Sequence, residues 1–312
     1  MKTILLSGMV LLALVCRAPA LTNIYYTGFS KSEGYNMAYE LAGQNGWVTD
    51  SSSYGGNGLL TNFLGIATNQ AAYVGLWPLS PVSDSFSVWQ PLKYAPLATH
   101  QTLVKFSASI LFVDSTTSQR DDFYWAVFNN HNQSLFSLHF SNYYLGVYYH
   151  LDGTNDYVYT GTTFTNDTLY TLLVTMDFAR NRWNATLDGA SLVGGQPITT
   201  TGALLDLGDI DAVWLLMDPN APGDNFMIFD DYLVTADADV PVKLASLGRT
   251  SNGQFLLRVT GPSNFRYAID AATNLGQWTA LKTNTITDGY FDFIDTAAGG
   301  FSKRFYRARQ VQ

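Results

Sequence analysis

The stretch from Thr168 to Gly189, TLYTLLVTMDFARNRWNATLDG, most constrains what this chain can fold into. Two alternating apolar runs flank a short polar turn and end in Asp188-Gly189. Period-two alternation places Tyr170, Leu172, Val174, Met176 and Phe178 on one face of the first run, and Trp183, Ala185 and Leu187 on one face of the second. The pattern predicts an antiparallel hairpin with one apolar side. A second tight turn at Asp188-Gly189, where glycine takes positive φ at little cost, returns the chain through Ser191 to Val193.

The same grammar recurs along the chain. Strands are predicted at 24–29, 46–48, 59–64, 72–77, 85–92, 102–113, 123–128, 135–140, 145–150, 157–159, 168–178, 182–187, 213–217 and 226–235. No amphipathic helix of useful length intervenes. Short strands separated by Gly, Asn, Asp and Ser turns predict an all-β chain built as a sandwich or jelly roll. Ala236 to Val242, ADADVPV, is polar and carries Pro241, which cannot donate to a strand ladder, so the linker is placed at 238–244. Five further short strands follow within 245–312, as expected for a small immunoglobulin-like or fibronectin-like sandwich.

Charge divides the chain at the same place. Leu21 to Val242 holds 21 acidic against 6 basic side chains, and Lys243 to Gln312 holds 4 acidic against 9 basic. An acidic lobe attracts cations, a basic tail suits an anionic cell-surface polymer, and the two can also dock on each other. Residues 1–20 read as a secretory signal, with Lys2, an apolar run from Ile4 to Cys16, and a small-x-small site at Ala18-Pro19-Ala20. The run is shorter than the roughly 20 residues a spanning helix needs, so a stable membrane span is not expected. Removal of the signal takes away Cys16, the single cysteine of the chain, and with it any disulfide. The expected location is secreted or at the cell surface.

Two segments carry a resemblance. The run LYTLLVTMDFARNRWNATLDGASLVGGQPI, with GFSKSEGYNMAYELAGQNGW upstream and NFMIFDDYLVT downstream, resembles the laminin-G/concanavalin A-like lectin superfamily over most of 21–237. The tail, with its ATNL..W and closing RFYRA, resembles the small C-terminal sandwich of exported proteins from Verrucomicrobia-like bacteria. The first resemblance implies a concanavalin A-like jelly roll and carbohydrate binding. It also implies a structural calcium ion between the first and last strands, which would fall on Glu33 and Asp231 with Asp230 as alternate. A loop of Asp218, Asn220, Asp224 and Asn225 is a rival without EF-hand spacing.

Catalytic motifs are sparse. Glycosidases of this scaffold pair two carboxylates on one strand, whereas the only glutamates here are Glu33 and Glu40, at an odd separation that puts them on opposite faces. The adjacent pairs Asp121-Asp122 and Asp230-Asp231 likewise point opposite ways. Neither a G-x-S-x-G elbow nor an H-E-x-x-H run occurs. A lyase using His139, His150 and Tyr148 stays open. Nucleic acid is not an expected partner, since the acidic lobe repels phosphates and the tail has no such motif. Gly55-Gly56-Asn57-Gly58 lacks the Lys-Ser of a phosphate loop.

Aromatic residues offer the better candidate. Tyr143, Tyr144, Tyr148, Tyr149, Tyr157 and Tyr159 fall within 17 residues, next to His150 and preceded by Tyr124 and Trp125. With a turn at 141–144, Phe136, Leu138 and Phe140 meet Leu145, Val147 and Tyr149 on the buried face, leaving Ser137, His139, Tyr148 and His150 on the other. Aromatic faces stack on sugar rings while hydroxyls and imidazoles supply hydrogen bonds. The candidate ligand-binding set is therefore Tyr124, Trp125, His139, Tyr148, His150 and Tyr157. The expected function is non-catalytic recognition of a polysaccharide or glycan. A polysaccharide-degrading enzyme on the same scaffold and an envelope or adhesion protein are the alternatives.

Overall fold

A computed structural model describes residues 21–49, 51–61, 70–237, 242–261, 266–287 and 289–311. The signal segment with Cys16, and residues 238–241 of the expected linker, lie outside the described residues. The strands in chain order are β1 (Thr22–Thr27), β2 (Asn57–Thr61), β3 (Gln70–Gly75), β4 (Ser85–Val88), β5 (Leu103–Val113), β6 (Asp122–Phe128) and β7 (Ser134–Ser141). They continue with β8 (Gly146–Leu151), β9 (Val158–Thr163), β10 (Leu169–Asp177), β11 (Arg182–Leu187), β12 (Ala190–Gln196), β13 (Asp209–Leu215) and β14 (Phe226–Asp237). The tail adds β15 (Lys243–Arg249), β16 (Phe255–Thr260), β17 (Arg266–Ala272), β18 (Thr279–Thr285), β19 (Tyr290–Asp295) and β20 (Phe305–Val311). Among the described residues helix is confined to single turns such as Pro96–Thr99.

The predicted hairpin forms as β10 and β11, with Leu172 opposite Leu187, Val174 opposite Ala185 and Met176 opposite Trp183. All six of these side chains are buried. The turn between them is held by Asp177, whose carboxylate accepts the Arg180 N–H at 3.1 Å and pairs with the Arg180 guanidinium at 2.7 Å. This hairpin is one wing of an eight-stranded sheet in the order β12-β11-β10-β5-β14-β3-β2, with β1 also on β14. The second sheet runs β4-β13-β6-β7-β8-β9. Among the described residues every pairing is antiparallel, so each strand turns one face to the shared core and one away from it.

Aromatic packing joins the two sheets. Trp125 of the six-stranded sheet meets Phe229 edge to face at 5.3 Å and Phe106 at 5.0 Å, both from the eight-stranded sheet. Tyr232 is wholly buried among Phe106, Trp47 and Trp125, and its hydroxyl donates to the Ile210 carbonyl at 3.1 Å. A buried hydroxyl with no acceptor would cost a few kcal/mol, so that bond fixes how β14 sits under β13.

Three expectations are corrected here. Residues 46–48 form no strand, only a bridge from Val48 to Trp89. Leu145 takes φ +50° in the turn before β8 and is partly exposed instead of packing with Val147. The expected linker at 238–244 is shortened at its far end, because β15 already begins at Lys243, whereas β14 ends at Asp237 just before it.

The tail strands form two three-stranded sheets, β15-β16-β19 and β18-β17-β20. Between them Leu257, Val259, Tyr267, Ile269, Ile286 and Phe291 form an apolar cluster that also takes in Leu103 of β5. Many of the basic side chains in this region are engaged within it. Arg258 pairs with Asp292 at 2.7 Å, Arg304 with Asp295 at 3.0 Å, and Arg307 and Arg309 both reach the buried Asp270 at 2.9 and 2.8 Å.

Candidate functional site

Because the inner face of the six-stranded sheet is consumed by the core, its chemistry lies on the outer face. Strand alternation sends Phe123, Trp125 and Val127 inward and leaves Asp122, Tyr124 and Ala126 outward. On β7 the inward set is Phe136, Leu138 and Phe140, and the outward set is Ser137, His139 and Ser141. Register then aligns the outward residues across strands: Val213 faces Tyr124, Tyr124 faces His139, His139 faces Tyr148, and Tyr148 faces Tyr159. Four consecutive members of that row carry rings.

The rings touch. Tyr124 and His139 stack with centroids 4.2 Å apart and planes within 17°. Tyr157 meets His139 edge to face at 4.5 Å and lies 5.2 Å from His150. Tyr148 and Tyr159 are 5.2 Å apart. Gly146, at the start of β8, makes room for that last pair: a Cβ there would stand 3.0 Å from Tyr148 Cε2 and 3.3 Å from Tyr159 Cε2.

Hydrogen bonds fix the imidazoles. Ser137 Oγ and His139 Nε2 are 2.9 Å apart, and His150 Nε2 donates to the Thr154 carbonyl at 2.8 Å. His139 is only 8% exposed. Burial, and next the neighbouring His150, depress its pKa to about 3, so the ring is neutral at physiological pH. Burial pushes Asp122 upward, against the hydrogen bond it accepts from the Asn142 N–H at 2.8 Å.

A cleft of about 260 Å³ opens on this face, lined by Asp122, His139, Ser141, Tyr144, Tyr148, Tyr157, Leu215 and Met217. A larger cleft of about 620 Å³ lies where β11 and β12 meet the tail strands, with Arg182, Asn184, Gln196 and Arg266 in its walls. No aromatic ring lines that second cleft.

Of the six residues singled out in the sequence, Tyr124, His139, Tyr148, His150 and Tyr157 come together on this face. Trp125 does not. It is 2% exposed and packs in the core, as alternation from Tyr124 demands, and it therefore contacts no ligand. The cleft also holds Asp122, Ser141, Leu215 and Met217, which carry no aromatic signal; alternation along β6 and β7 places Asp122 and Ser141 there, and the pairing of β13 with β6 brings in Leu215 and the Met217 that follows it. Two residues back along β13 from Val213 stands Asp211, and two further back Asp209, both on the outer side opposite Ile210 and Ala212. Burial raises Asp209 to about 6, opposed by its hydrogen bond with Asp211.

The carboxylates expected to hold calcium are close in influence but engaged in other contacts. Glu33 Oε2 accepts the Ser30 N–H at 2.8 Å and the Ser30 hydroxyl at 2.9 Å. Asp231 sits at φ +51° in a bulge of β14 and accepts the Tyr26 hydroxyl at 3.3 Å. Asp230 is buried and accepts the Asp231 N–H at 2.8 Å. Burial, together with the charges of Asp231 and Glu33, raises it to about 6. Carboxylate oxygens are the right chemistry for calcium, yet among the described residues no three His, Cys, Asp or Glu side chains are gathered to hold a metal ion. Asp224, from the rival loop, bonds Ser115 and Thr116 instead.

No protein-family model matches the sequence, and no curated protein matches it. Solved structures are similar only loosely. A carbohydrate binding module, CBM66 from Bacillus subtilis, is 9% identical over 63% of this chain and 99% of its own, with a TM-score of 0.39. The carbohydrate recognition domain of Emp46p, in its potassium-bound form, is 10% identical over 67% of this chain and 98% of its own, with a TM-score of 0.42. A sialidase is 8% identical over 68% of this chain with a TM-score of 0.46, and the chain spans 18% of that protein's length. At such values the likeness carries no function across. Among the described residues no helix is long and apolar enough to cross a membrane.

Proposed function

We propose that this chain is an exported carbohydrate-binding protein that seats a glycan on the outer face of its six-stranded sheet. One observation carries the reading: a cross-strand row of rings, Tyr124, His139, Tyr148 and Tyr159, of which His139 and Tyr148 line an open cleft that also offers Ser141 and Asp122 as hydrogen-bonding groups. Tyr157 and Tyr159, 55% and 48% exposed, present apolar ring surface, the first beside His139, which it meets edge-on, and the second beside Tyr148, against which it is tilted. Rigid amphipathic rings with convergent polar groups are what a sugar's alternating apolar face and hydroxyl edge require. The division into a binding lobe at 21–237 and an accessory lobe at 245–312 belongs to the same proposal. So does attachment of the basic lobe to an anionic surface polymer, although much of its arginine charge is already paired within it.

One observation favours a second reading, a hydrolase. Asp209 and Asp211 share a face, and a carboxyl raised to about 6 is able to donate a proton near neutrality. His139, at about 3, is by contrast a weak general base.

The test is retention of the chain without its first 20 residues on a polysaccharide panel, with assay for released sugar. Saturable retention without product, weakened about fivefold to tenfold by Tyr148→Ala or Tyr157→Ala, is the expected result, since one stacked ring contributes roughly 1 kcal/mol. Product that disappears with Asp209→Asn and Asp211→Asn would replace binding by hydrolysis. Absence of both across the panel would sink the reading.

A further inference from the structure

We infer that the aromatic cleft selects an uncharged sugar segment and discriminates against a carboxylated one. The inference rests on the carbohydrate reading above and adds the class of sugar. Its basis is the charge of the walls. The lining is Asp122, His139, Ser141, Tyr144, Tyr148, Tyr157, Leu215 and Met217, with no lysine or arginine among them. A sugar carboxylate buried against these walls would give up water and receive no cation in return, which is unfavourable. The two imidazoles do not fill that role: His139 stays neutral, and the Nε2–H of His150 is spent on the Thr154 carbonyl.

The acidic group that the lining does hold is of the wrong sign for an acid. Asp122 opens into the cleft from β6, and Asp211 and Asp209 continue the same face along β13. The Asp122 carboxylate is anchored by the Asn142 N–H at 2.8 Å, so it cannot swing out of the way of a second anion without giving up that bond. What it can do is accept a hydroxyl from a neutral sugar. The lobe around the cleft reinforces the preference, with 21 acidic against 6 basic side chains from Leu21 to Val242. An anionic polymer is repelled before it arrives.

The experiment compares charge at constant chain structure. Hydroxyethylcellulose, galactomannan and a neutral galactan are each run in native affinity gels beside a twin in which primary alcohols have been oxidised to carboxylates. For a retained polymer, the expected result is binding of the twin at least about tenfold weaker in low salt. The gap should narrow as salt rises and screens the wall charges. Tyr157→Ala should weaken the neutral polymer's retention, which ties the preference to this face. A twin bound as tightly as its neutral parent, or more tightly, overturns the inference and leaves carbohydrate binding intact. Failure of every polymer to be retained removes the carbohydrate reading for this face, and the inference falls with it.

Discussion

Tyr124 lies ring on ring with His139, centroids 4.2 Å apart and planes within 17°, across the β6–β7 ladder. The stack covers one face of the imidazole, Tyr157 meets it edge-on at 4.5 Å, and Ser137 Oγ stands 2.9 Å from its Nε2. A histidine so enclosed resists protonation. Its depressed pKa makes a prediction with a definite sign. In the folded chain His139 titrates at about 3, whereas an unfolded histidine titrates near 6.5. Between those values the unfolded state binds the extra proton, so stability is fully present above about pH 6.5 and is lost as pH falls towards 3. His139→Gln should remove a few kcal/mol of that acid sensitivity. The measurement is the difference in Tm between parent and variant from pH 4 to 7.5. A difference that does not change with pH would show that His139 is not held neutral.

Trp125 and Tyr148 should separate stability from binding. Trp125 packs against Phe106, Phe229 and Tyr232, so Trp125→Ala removes a large core side chain and should cost about 3–5 kcal/mol in denaturant melts. Tyr148 is half-buried on the outer face, and Tyr148→Ala should leave stability within about 1 kcal/mol of the parent while weakening glycan retention. Equal loss of stability in both variants would mean that the outer row of rings is structural.

Gly146 should matter more for binding than for folding. Its φ is ordinary, so an added methyl carries no backbone penalty, and in a strand alanine is otherwise favoured over glycine by about 0.5–1 kcal/mol. The methyl would, however, meet Tyr148 Cε2 at 3.0 Å and Tyr159 Cε2 at 3.3 Å and tilt both rings. Gly146→Ala is expected to keep its Tm within a few degrees and to lose affinity for the neutral polymer. Unchanged affinity in Gly146→Ala would show that ring tilt is irrelevant to the site.

The hairpin at 168–189 and the outward set on β7 and β8 are legible in sequence because strand alternation is a local rule, obeyed wherever one face is buried. The same rule already excluded Trp125 once Tyr124 was placed outward, and composition alone obscured it. Leu145 escaped for a different reason. Its apolar side chain reads as strand, but the chain reverses there with φ +50°, a turn set by local geometry. Leu215 and Met217 were illegible because their place in the cleft depends on β13 lying beside β6, a pairing between segments about 90 residues apart that no local pattern encodes.

Asp230 supplies the last prediction, opposite in sign to that of His139. It is 8% exposed, and its folded pKa of about 6 stands above the unfolded value near 3.9. The folded state therefore holds the extra proton between pH 4 and 6, and stability falls as pH rises through that window and stays reduced above it. A shift of that size corresponds to about 2–3 kcal/mol at pH 7.5. Asp230→Asn keeps an oxygen to accept the Asp231 N–H, removes the buried charge, and should raise Tm above pH 6 while leaving it unchanged near pH 4. Calcium held by Glu33, Asp230 and Asp231 would reverse this, because the ion would keep Asp230 ionised at a profit in stability. In that case Asp230→Asn would lower Tm in calcium, and a chelator would lower the parent's. The carboxylates as they stand, each bonded within the chain, favour the first outcome: a variant more stable than its parent at pH 7.5, with chelator or without.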